Sequence, residues 1–308
     1  MDFGRTVALI GAPSDIGAGH RGGSMGPEAL RVAGLEKAIT RLGHHVLDRG
    51  NVSGPTNPWL APVDGYRHLK ETASWCRAVR DKVRFSLEQG ELPVLLGGDH
   101  SLSIGSIAGV SGYCQDNGVP LTVVWLDAHA DFNTPATTPS GNIHGMPVAV
   151  LTGMGPKALT ELGPKVDSAA FIQVGIRSVD PVEKSMVLES DMTVFDMRRV
   201  DELGMRVVMD QVLEKVRSRG GHLHVSFDVD FLDPGIAPGV GTTVSGGPNY
   251  REAQLCMEML GESGLMRSLD ITELNPAYDT RNQTAAVAVE LAESLFGKQI
   301  LYRRNRSK

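Results

Sequence analysis

The sequence predicts an α/β fold with three layers, α/β/α, in which about eight mostly parallel strands are covered by helices on both faces. Short apolar segments rich in valine and leucine alternate along the chain with longer segments of helical character. No linker, internal repeat or low-complexity block interrupts this alternation. We therefore expect residues 1–308 to form a single domain around one large core.

The N-terminal part begins with a strand over Thr6–Ile10 and continues with a helix over Pro27–Leu42. This helix is indicated by the proline at its first turn and by Gly43 at its end. A second strand is predicted at His45–Asp48, followed by a polar, proline-rich loop and a long helix over Tyr66–Gln89. Strands and helices thus alternate from the start of the chain.

The remaining strands are short apolar runs. Three of them have the composition of strands buried on both faces: Leu92–Leu96, Leu121–Leu126 and Leu223–Phe227. Further strands are predicted at Phe171–Gly175, Thr193–Asp196 and Met266–Ile271. Helices are predicted at Ser101–Gln115, His144–Leu151, Pro181–Glu189, Asp201–Arg219, Tyr250–Gly261 and Arg281–Phe296.

Composition argues against several classes of function. The net charge of −6 gives no reason to expect a nucleic acid or an anionic membrane as partner. No apolar stretch approaches the ~18 residues of a membrane span, and the N-terminal apolar run is too short for a signal peptide. The 3 cysteines are widely spaced and odd in number, so we expect free thiols and a cytoplasmic protein.

Acidic and histidine side chains follow three of the apolar runs. The motifs are Gly97-Gly98-Asp99-His100-Ser101, Asp127-Ala128-His129-Ala130-Asp131 and Asp228-Val229-Asp230. We expect these side chains to converge, because ligands of an open parallel sheet gather at the carboxyl ends of its strands. An acid at a strand end can also cap the following helix. Three such motifs together favour one two-metal site.

The charge of this cluster indicates which ions it would hold. Four aspartates and two histidines carry too much negative charge for a partly dehydrated cleft without cations, and two divalent ions would neutralise it. Oxygen and nitrogen ligands without thiolate favour Mn²⁺, Fe²⁺, Co²⁺ or Zn²⁺ over a thiolate-type zinc site, and Mg²⁺ rarely takes two histidines. Mn²⁺ ranks first among these.

One glycine motif suggests a different ligand. Gly17-Ala18-Gly19-His20-Arg21-Gly22 satisfies the dinucleotide pattern GxGxxG and follows a strand. That pattern requires a helix to open at once, whereas here the predicted helix begins only at Pro27. We therefore expect a loop rather than a nucleotide site.

Longer motifs surround these residues: Asp127–Pro135, Ser140–Pro147, Gly175–Glu183, Ser226–Pro234 and Leu269–Pro276. In their amino-acid sequences and in their order along the chain, these motifs resemble those of the ureohydrolase family, which includes arginases and agmatinases. The resemblance spans nearly the whole chain, from Gly26-Pro27 to the last helix. It implies an arginase-like fold and two Mn²⁺ ions per subunit. It also implies that a metal-bridging hydroxide hydrolyses the guanidino group of L-arginine to L-ornithine and urea.

The resemblance also implies a role for individual residues. One ion would be held by His100, Asp127, Asp131 and Asp228, and the other by His129, Asp127, Asp228 and Asp230. Asp131 would carry the first proton, His144 would exchange protons with solvent, and Glu273 would bind the guanidinium. The Gly17–Gly22 segment would lie near the mouth of the active site.

Specificity within the family depends on the other end of the substrate. The resemblance implies substrate contacts from Asn133, Thr138, Ser140, Asn142, Asp180, Glu183 and Thr242, beside Glu273. The loop residues would bind the α-carboxylate and Asp180, with Glu183, the α-ammonium. The Asn-Thr-Pro run after Asp131 favours arginine over agmatine, although Ser178, Ala136 and Pro139 depart from the usual pattern.

Alternatives remain open. The chain could be an agmatinase, a guanidinobutyrase or a formiminoglutamase, which share the metal motifs. A single-metal deacetylase-like amidohydrolase would not need both Asp-x-His-x-Asp and His100, and a non-catalytic relic should have lost ligands. The resemblance further implies a homotrimer or homohexamer, with Arg251 and Glu252 facing Asp201 of a neighbouring chain.

Overall fold

A computed structural model describes residues 4–301 and contains one sheet of 8 strands. The strands are β1 (Thr6–Gly11), β2 (His45–Asn51), β3 (Leu92–Leu96), β4 (Leu121–Leu126), β5 (Phe171–Ile176), β6 (Thr193–Asp196), β7 (His222–Asp228) and β8 (Met266–Thr272). Their order across the sheet is β2-β1-β3-β8-β7-β4-β5-β6, and every pair is parallel. The predicted fold class is confirmed, with the sheet wholly rather than mostly parallel.

Helices cover both faces of the sheet. They are α1 (Gly26–Val32), α2 (Leu35–Arg41), α3 (Leu69–Glu88), α4 (Leu102–Asp116), α5 (Pro147–Leu151), α6 (Lys157–Thr160), α7 (Pro181–Glu189), α8 (Met197–Leu203), α9 (Met205–Arg219), α10 (Tyr250–Ser263) and α11 (Gln283–Leu295). Within residues 4–301, none of them combines the length and hydrophobicity needed to cross a bilayer.

The two faces follow from the alternation of side chains along each strand. In β4, Val124 and Leu126 pack with α1, α2 and α8–α11, whereas Val123 and Trp125 pack with α4, α5 and α7. All six residues of β5 are buried, as are all five of β3. Central strands that are covered on both faces therefore consist of continuous apolar residues, which is why these strands could be predicted from the sequence.

Two predicted helices are each divided by a glycine. The predicted helix Pro27–Leu42 is instead α1 and α2, and the predicted helix Asp201–Arg219 is instead α8, which starts earlier, and α9. Gly34 has φ of 90° and Gly204 has φ of 78°, which are conformations that few other residues adopt. The short helix α6 was not predicted.

Other differences concern element ends. The predicted helix His144–Leu151 is a 3₁₀ turn at Ile143–Gly145 followed by α5, because Pro147 starts a new helix. Helix α3 begins at Leu69 rather than Tyr66, since the residues before it form a turn and a bridge between Val63 and Tyr66. These shifts leave the order of elements unchanged.

Candidate metal centre

The candidate site lies at the carboxyl edge of four adjacent strands, β3, β8, β7 and β4. His100 follows β3, Asp127 comes directly after β4, Asp228 ends β7, and Glu273 comes directly after β8. Because all four strands are parallel, their carboxyl ends lie at the same edge. Residues far apart in the sequence meet there.

His100 is the centre of the first group of candidate ligands. Its Nδ1 lies 3.1 Å from Asp127 Oδ2, 3.1 Å from Asp131 Oδ2 and 2.9 Å from Asp228 Oδ2. Its Nε2 lies 2.9 Å from Ser226 Oγ, so a neutral ring that donates from Nε2 turns the lone pair of Nδ1 towards the three carboxylates. This buried Nδ1 has no hydrogen-bond partner within residues 4–301. A cation among these four atoms would satisfy it.

His129 belongs to a second group, which shares Asp127 with the first. Its Nδ1 lies 3.0 Å from Asp230 Oδ2 and 3.5 Å from Asp127 Oδ1. In each group, Asp127-His100-Asp131 and Asp127-His129-Asp230, the ligand atoms lie within 4.8 Å of one another. Asp127 therefore turns one oxygen to each histidine, as a carboxylate that bridges two metal ions would.

Packing fixes the position of the shared carboxylate. Trp125 lies two residues before Asp127 on the same face of β4, and its Nε1 donates to Asp127 Oδ2 at 2.8 Å. The indole also stacks on the ring of His100 with a centroid distance of 4.1 Å. The other oxygen, Oδ1, accepts the backbone N–H of His129 at 2.7 Å. These contacts orient the ligands before any ion is considered.

The electrostatics of the group call for positive charge. Burial, aided by the charge of Asp127, raises the pKa of Asp131 to about 7. Burial together with the neighbouring carboxylates also raises the pKa of Asp228. Burial disfavours a charge on His129, but Asp230 and Asp127 outweigh it and raise its pKa to about 12. Oxygen and nitrogen donors with this excess of negative charge fit two divalent ions.

Two residues of the site have unusual backbone geometry. Asp131 has φ of 51° and Glu273 has φ of 62°, in the left-handed region that non-glycine residues seldom adopt. The backbone N–H of Glu273 donates to Gly98 O at 2.7 Å, and its Oε1 accepts the N–H of His100 at 2.7 Å. Such strain is stored mainly where function requires a particular orientation.

A cavity of about 240 Å³ opens beside these ligands. Its lining contains every residue that the sequence predicted for substrate contact: Asn133, Thr138, Ser140, Asn142, Asp180, Glu183, Thr242 and Glu273, as well as His144 and Ser178. The convergence of these residues on one cavity was beyond the reach of spacing arguments. A larger surface cavity of about 680 Å³ lies near Phe132 and contains none of the candidate ligands.

His144 and Glu273 form a pair in this cavity. His144 Nδ1 lies 2.9 Å from Glu273 Oε1. Burial disfavours a charge on the imidazole, but the carboxylate outweighs it and raises the pKa of His144 to about 9. The pair can therefore hold a proton at the edge of the site, while Glu273 Oε2 accepts no hydrogen bond within residues 4–301.

The predicted ammonium contacts have structural roles as well. Asp180 precedes α7 and forms a capping box with Glu183, whose Oε2 accepts the N–H of Asp180 at 3.0 Å. Glu183 Oε1 accepts the N–H of Phe132 at 2.8 Å, and Asn133 Nδ2 donates to Asp180 Oδ2 at 2.9 Å. The start of α7 is thus tied to the chain directly after Asp131.

Several residues that support the site were not predicted. Ser226 and Trp125 orient His100 and Asp127, and each lies two residues before an aspartate that was assigned. The same alternation along the strand could have indicated them. Arg177 donates to four backbone carbonyls in the chain after β7, including Asp230 O at 2.8 Å, and to Gly175 O in β5. Nothing in the sequence near Arg177 indicates this role.

The glycine-rich segment forms the loop that the sequence predicted. The backbone N–H of Gly17 donates to Asp99 Oδ2 at 2.9 Å, and its carbonyl accepts the N–H of His144 at 3.1 Å. A Cβ at Gly17 would lie 2.4 Å from Ser101 Oγ, so only glycine fits this approach. The segment therefore packs against the site rather than opening a helix.

Comparison with known proteins places the chain in a family. The sequence model of the arginase family matches residues 5–297. The arginase of Agrobacterium fabrum is 45% identical over 301 residues, which cover 97% of this chain and 93% of the relative. The crystal structure of arginase from Bacillus caldovelox superposes with a TM-score of 0.92 at 40% identity, covering 96% of this chain and 100% of that one.

A more distant relative marks the limits of the likeness. The crystal structure of a hypothetical agmatinase from Burkholderia thailandensis has a TM-score of 0.71 and 27% identity, with 96% of this chain and 85% of that chain covered. The match of the family model and the identity to curated arginases extend over nearly the whole chain. On this evidence the chain belongs to the arginase family.

Proposed function

We propose that this protein hydrolyses the guanidino group of L-arginine to L-ornithine and urea at a site with two Mn²⁺ ions. The observation that carries the proposal is Asp127, whose two oxygens face two histidine-carboxylate groups at the floor of one cavity. The chain is also more similar to arginases than to the agmatinase compared above. His100, Asp127, His129, Asp131, Asp228 and Asp230 would hold the ions.

Two divalent ions held by these residues would supply Lewis acidity, which lowers the pKa of water towards neutrality and so favours hydrolysis of the guanidino group. The residues of the chain perform the other tasks. Glu273 binds the planar guanidinium through its free Oε2 and holds the carbon over the two histidine groups. Asp131, buried beside His100, would accept a proton from the attacking water and pass it to the departing amine. His144 exchanges protons with solvent.

The other end of the substrate would be recognised by the remaining residues of the cavity. Thr138 and Ser140 provide hydroxyl groups for the α-carboxylate, together with the amides of Asn133 and Asn142. Asp180 accepts from the α-ammonium, directly or through water, with Glu183 and Thr242 beside it. This set distinguishes arginine from substrates without an amino-acid end.

The subunits would assemble as a homotrimer or a homohexamer. Arg251 and Asp201 are both exposed in the single chain, so each is accessible to a neighbour. Glu252 has a local role as well, because it accepts the backbone N–H of Asn249 at 2.9 Å and so caps α10. The proposal therefore rests mainly on Arg251 and Asp201.

Release of urea from arginine, agmatine and guanidinobutyrate, measured in parallel with and without Mn²⁺, tests the proposal. We expect Mn²⁺-dependent release from arginine that exceeds release from agmatine by well over tenfold, since each lost charge-assisted contact is worth about 1.5–3 kcal/mol. Comparable release from agmatine would indicate an agmatinase instead. No release from arginine with Mn²⁺ present would refute the proposal.

A further inference from the structure

Residues that line one side of the cavity contact a second segment of the chain, which lies behind them. We call residues 52–68, between β2 and α3, the mouth loop, and residues 133–142 the donor loop. A Cβ at Gly141 would lie 2.8 Å from Pro62 Cβ, and a Cβ at Gly65 would lie 2.5 Å from Pro135 O. Both glycines have positive φ, of 73° and 77°. The two loops thus approach each other more closely than side chains would permit.

The donor loop presents hydrogen-bond donors to the cavity. Thr138 Oγ1 accepts the backbone N–H groups of Ser140 at 3.3 Å and Gly141 at 3.0 Å. A hydroxyl accepts about two hydrogen bonds and donates one, so the capacity left to Thr138 is its O–H. Ser140 Oγ accepts the N–H of Asn142 at 3.2 Å and lies 3.5 Å from Thr138 Oγ1, so one of the two O–H groups can donate to the other hydroxyl and the second is left for a ligand. Donors without acceptors select an anionic group.

Asn142 could present either an acceptor or a donor, and a residue of the mouth loop decides which. Arg67 Nε donates to Asn142 Oδ1 at 2.9 Å. With Oδ1 occupied by a guanidinium, the group left to a ligand is the Nδ2 amide. A Cβ at Gly19 would lie 2.8 Å from this Nδ2, so a larger residue at position 19 would collide with the amide. The orientation of Asn142 therefore depends on Arg67.

Arg67 is itself firmly held. Its Nη1 donates to Leu60 O at 3.0 Å, and its backbone N–H donates to Gly141 O at 2.7 Å. Leu60 in turn donates its N–H to His68 Nε2 at 2.8 Å, and His68 Nδ1 lies 3.0 Å from Ile16 O. The guanidinium is thus fixed relative to the donor loop and the glycine-rich segment.

We propose that Arg67 is a specificity-determining positioning residue: it locks the Asn142 amide with its donors towards the cavity, so that the mouth selects substrates carrying a carboxylate. The inference rests on the proposed function, since the substrate pair that reveals it is arginine and agmatine, which differ by that carboxylate. Arg67 acts through Asn142 and not on the guanidino group at the metal end. Binding of the carboxylate end should therefore depend on Arg67, whereas the chemical step should not.

The test compares Arg67→Met with the parent, using Arg77→Met as a matched control. Arg77 is exposed on α3, away from the contacts described above. We expect Arg67→Met to raise KM for arginine about tenfold, the loss of one charge-assisted contact, with kcat within about twofold. The kcat/KM for agmatine should stay within about twofold, as should every constant of Arg77→Met. An unchanged KM for arginine, or an equal loss for both substrates, would overturn the proposal.

A double-mutant cycle tests whether Arg67 acts through Asn142. The KM for arginine of Arg67→Met with Asn142→Ala should lie within about twofold of that of Asn142→Ala alone, because the second change removes the group that Arg67 orients. If the increase in KM of the double variant equals the product of the increases in the two single variants, Arg67 acts independently of Asn142 and the inference is refuted. If Arg67→Met does not fold, Arg67→Gln replaces it with the same expectations.

Inhibition constants test the same role of Arg67 without requiring the enzyme to hydrolyse agmatine. The inhibition constant of ornithine should rise about tenfold in Arg67→Met, whereas that of putrescine, which lacks the carboxylate, should not change. A parent that releases no urea from arginine would refute the proposed function. If the parent hydrolyses arginine and Arg67→Met still binds ornithine more tightly than putrescine, as the parent does, the role of Arg67 is refuted and the proposed function is not.

Discussion

At the scale of single residues, Asp228 contacts both His100 and the second aspartate of its own motif, Asp230. Its Oδ2 lies 2.9 Å from His100 Nδ1, and its Oδ1 accepts the backbone N–H of Asp230 at 2.7 Å. One carboxylate therefore reaches one candidate ligand directly and fixes the backbone of another. A change at this position should affect both groups of the centre.

We predict that Asp228→Asn lowers the metal content as well as the activity, because it removes one negative charge while keeping the size of the side chain. The bound Mn²⁺ should fall below two ions per chain after dialysis, as measured by elemental analysis. Asp210→Asn on the surface of α9 is the control and should keep the ions of the parent. Normal turnover with two bound ions in Asp228→Asn would contradict the assignment.

His222 provides a pH-dependent term in stability. Burial lowers the pKa of His222 to about 3, and its Nε2 lies 2.8 Å from Ser268 Oγ inside the sheet. An unfolded histidine titrates near pH 6.5, roughly as in peptides. Between these two values the unfolded chain binds a proton that the folded chain does not. The free energy of unfolding therefore rises with pH across this window and falls on acidification.

We predict that His222→Asn reduces this slope by up to about 1.4 kcal/mol per pH unit, the value for one proton. Urea unfolding at several pH values from 4.5 to 6.5, roughly within the window, measures it for parent and variant. His45→Asn, at an exposed position of β2, should keep the slope of the parent. Parallel slopes for parent and His222→Asn would show that His222 does not remain neutral in the fold.

Residues of the candidate centre differed in how far the sequence could reveal them. His100, Asp127 and Asp228 are recognisable because each follows an apolar run and has another polar ligand nearby in the chain. Arg67 meets Asn142 only in the folded chain, 75 positions away. Neither Arg67 nor Asn142 belongs to a periodic sequence pattern from which their contact could be predicted. Local spacing can predict a ligand, but not the side chain that orients it from elsewhere.

At the scale of elements, strands were easier to predict than the ends of helices. The strands Leu92–Leu96, Leu121–Leu126 and Thr193–Asp196 have the predicted bounds, as does helix Pro181–Glu189. Leu92–Leu96 lies between Glu91 and Gly97, Leu121–Leu126 between Pro120 and Asp127, and Pro181–Glu189 between Asp180 and Ser190, so polar or turn-forming residues mark both ends of these three segments. Gly34 and Gly204 are different, because an isolated glycine within a helical pattern is tolerated in some helices and ends others. Only the positive φ at each shows that the helix stops there.

Helices α1 and α2 therefore depend on the conformation of Gly34. With φ of 90° and ψ of 28°, this residue lies in the left-handed region, which a Cβ disfavours. We predict that Gly34→Ala lowers the free energy of unfolding by about 1–2 kcal/mol, although no atom of residues 4–301 outside the local backbone lies within 4 Å of the added Cβ. Gly34→Asn should lose less, since asparagine tolerates this region. Urea unfolding measures both, and equal stability of all three proteins would contradict this account.

At the scale of the whole molecule, the proposed assembly can be tested through one charge. An exposed ion pair is worth only ~0–1 kcal/mol, whereas a desolvated, bidentate pair between subunits contributes more. Arg251 makes a hydrogen bond to Gln254 within its own chain and is otherwise exposed. In an oligomer its guanidinium would be able to bind Asp201 of a neighbour.

We predict that the parent sediments as a trimer or hexamer at micromolar concentration and that Arg251→Ala shifts it towards smaller species. Arg217→Ala, at an exposed position of α9, should sediment like the parent. Sedimentation velocity over a range of concentrations distinguishes these outcomes. A monomeric parent, or an Arg251→Ala variant that assembles as well as the parent, would show that this residue does not hold subunits together.

The order of strands also dictates when the centre can form during synthesis. Strands β7 and β8 are made late, yet they lie between β3 and β4, which are made early. Until residue 228 has emerged from the ribosome, β4 has an edge with no neighbour, and until residue 272 has emerged the same is true of β3. Such edges are prone to pair with other chains. The nascent protein can therefore close its sheet between β3 and β7, and bring His100 to Asp228, only after β8 has been translated.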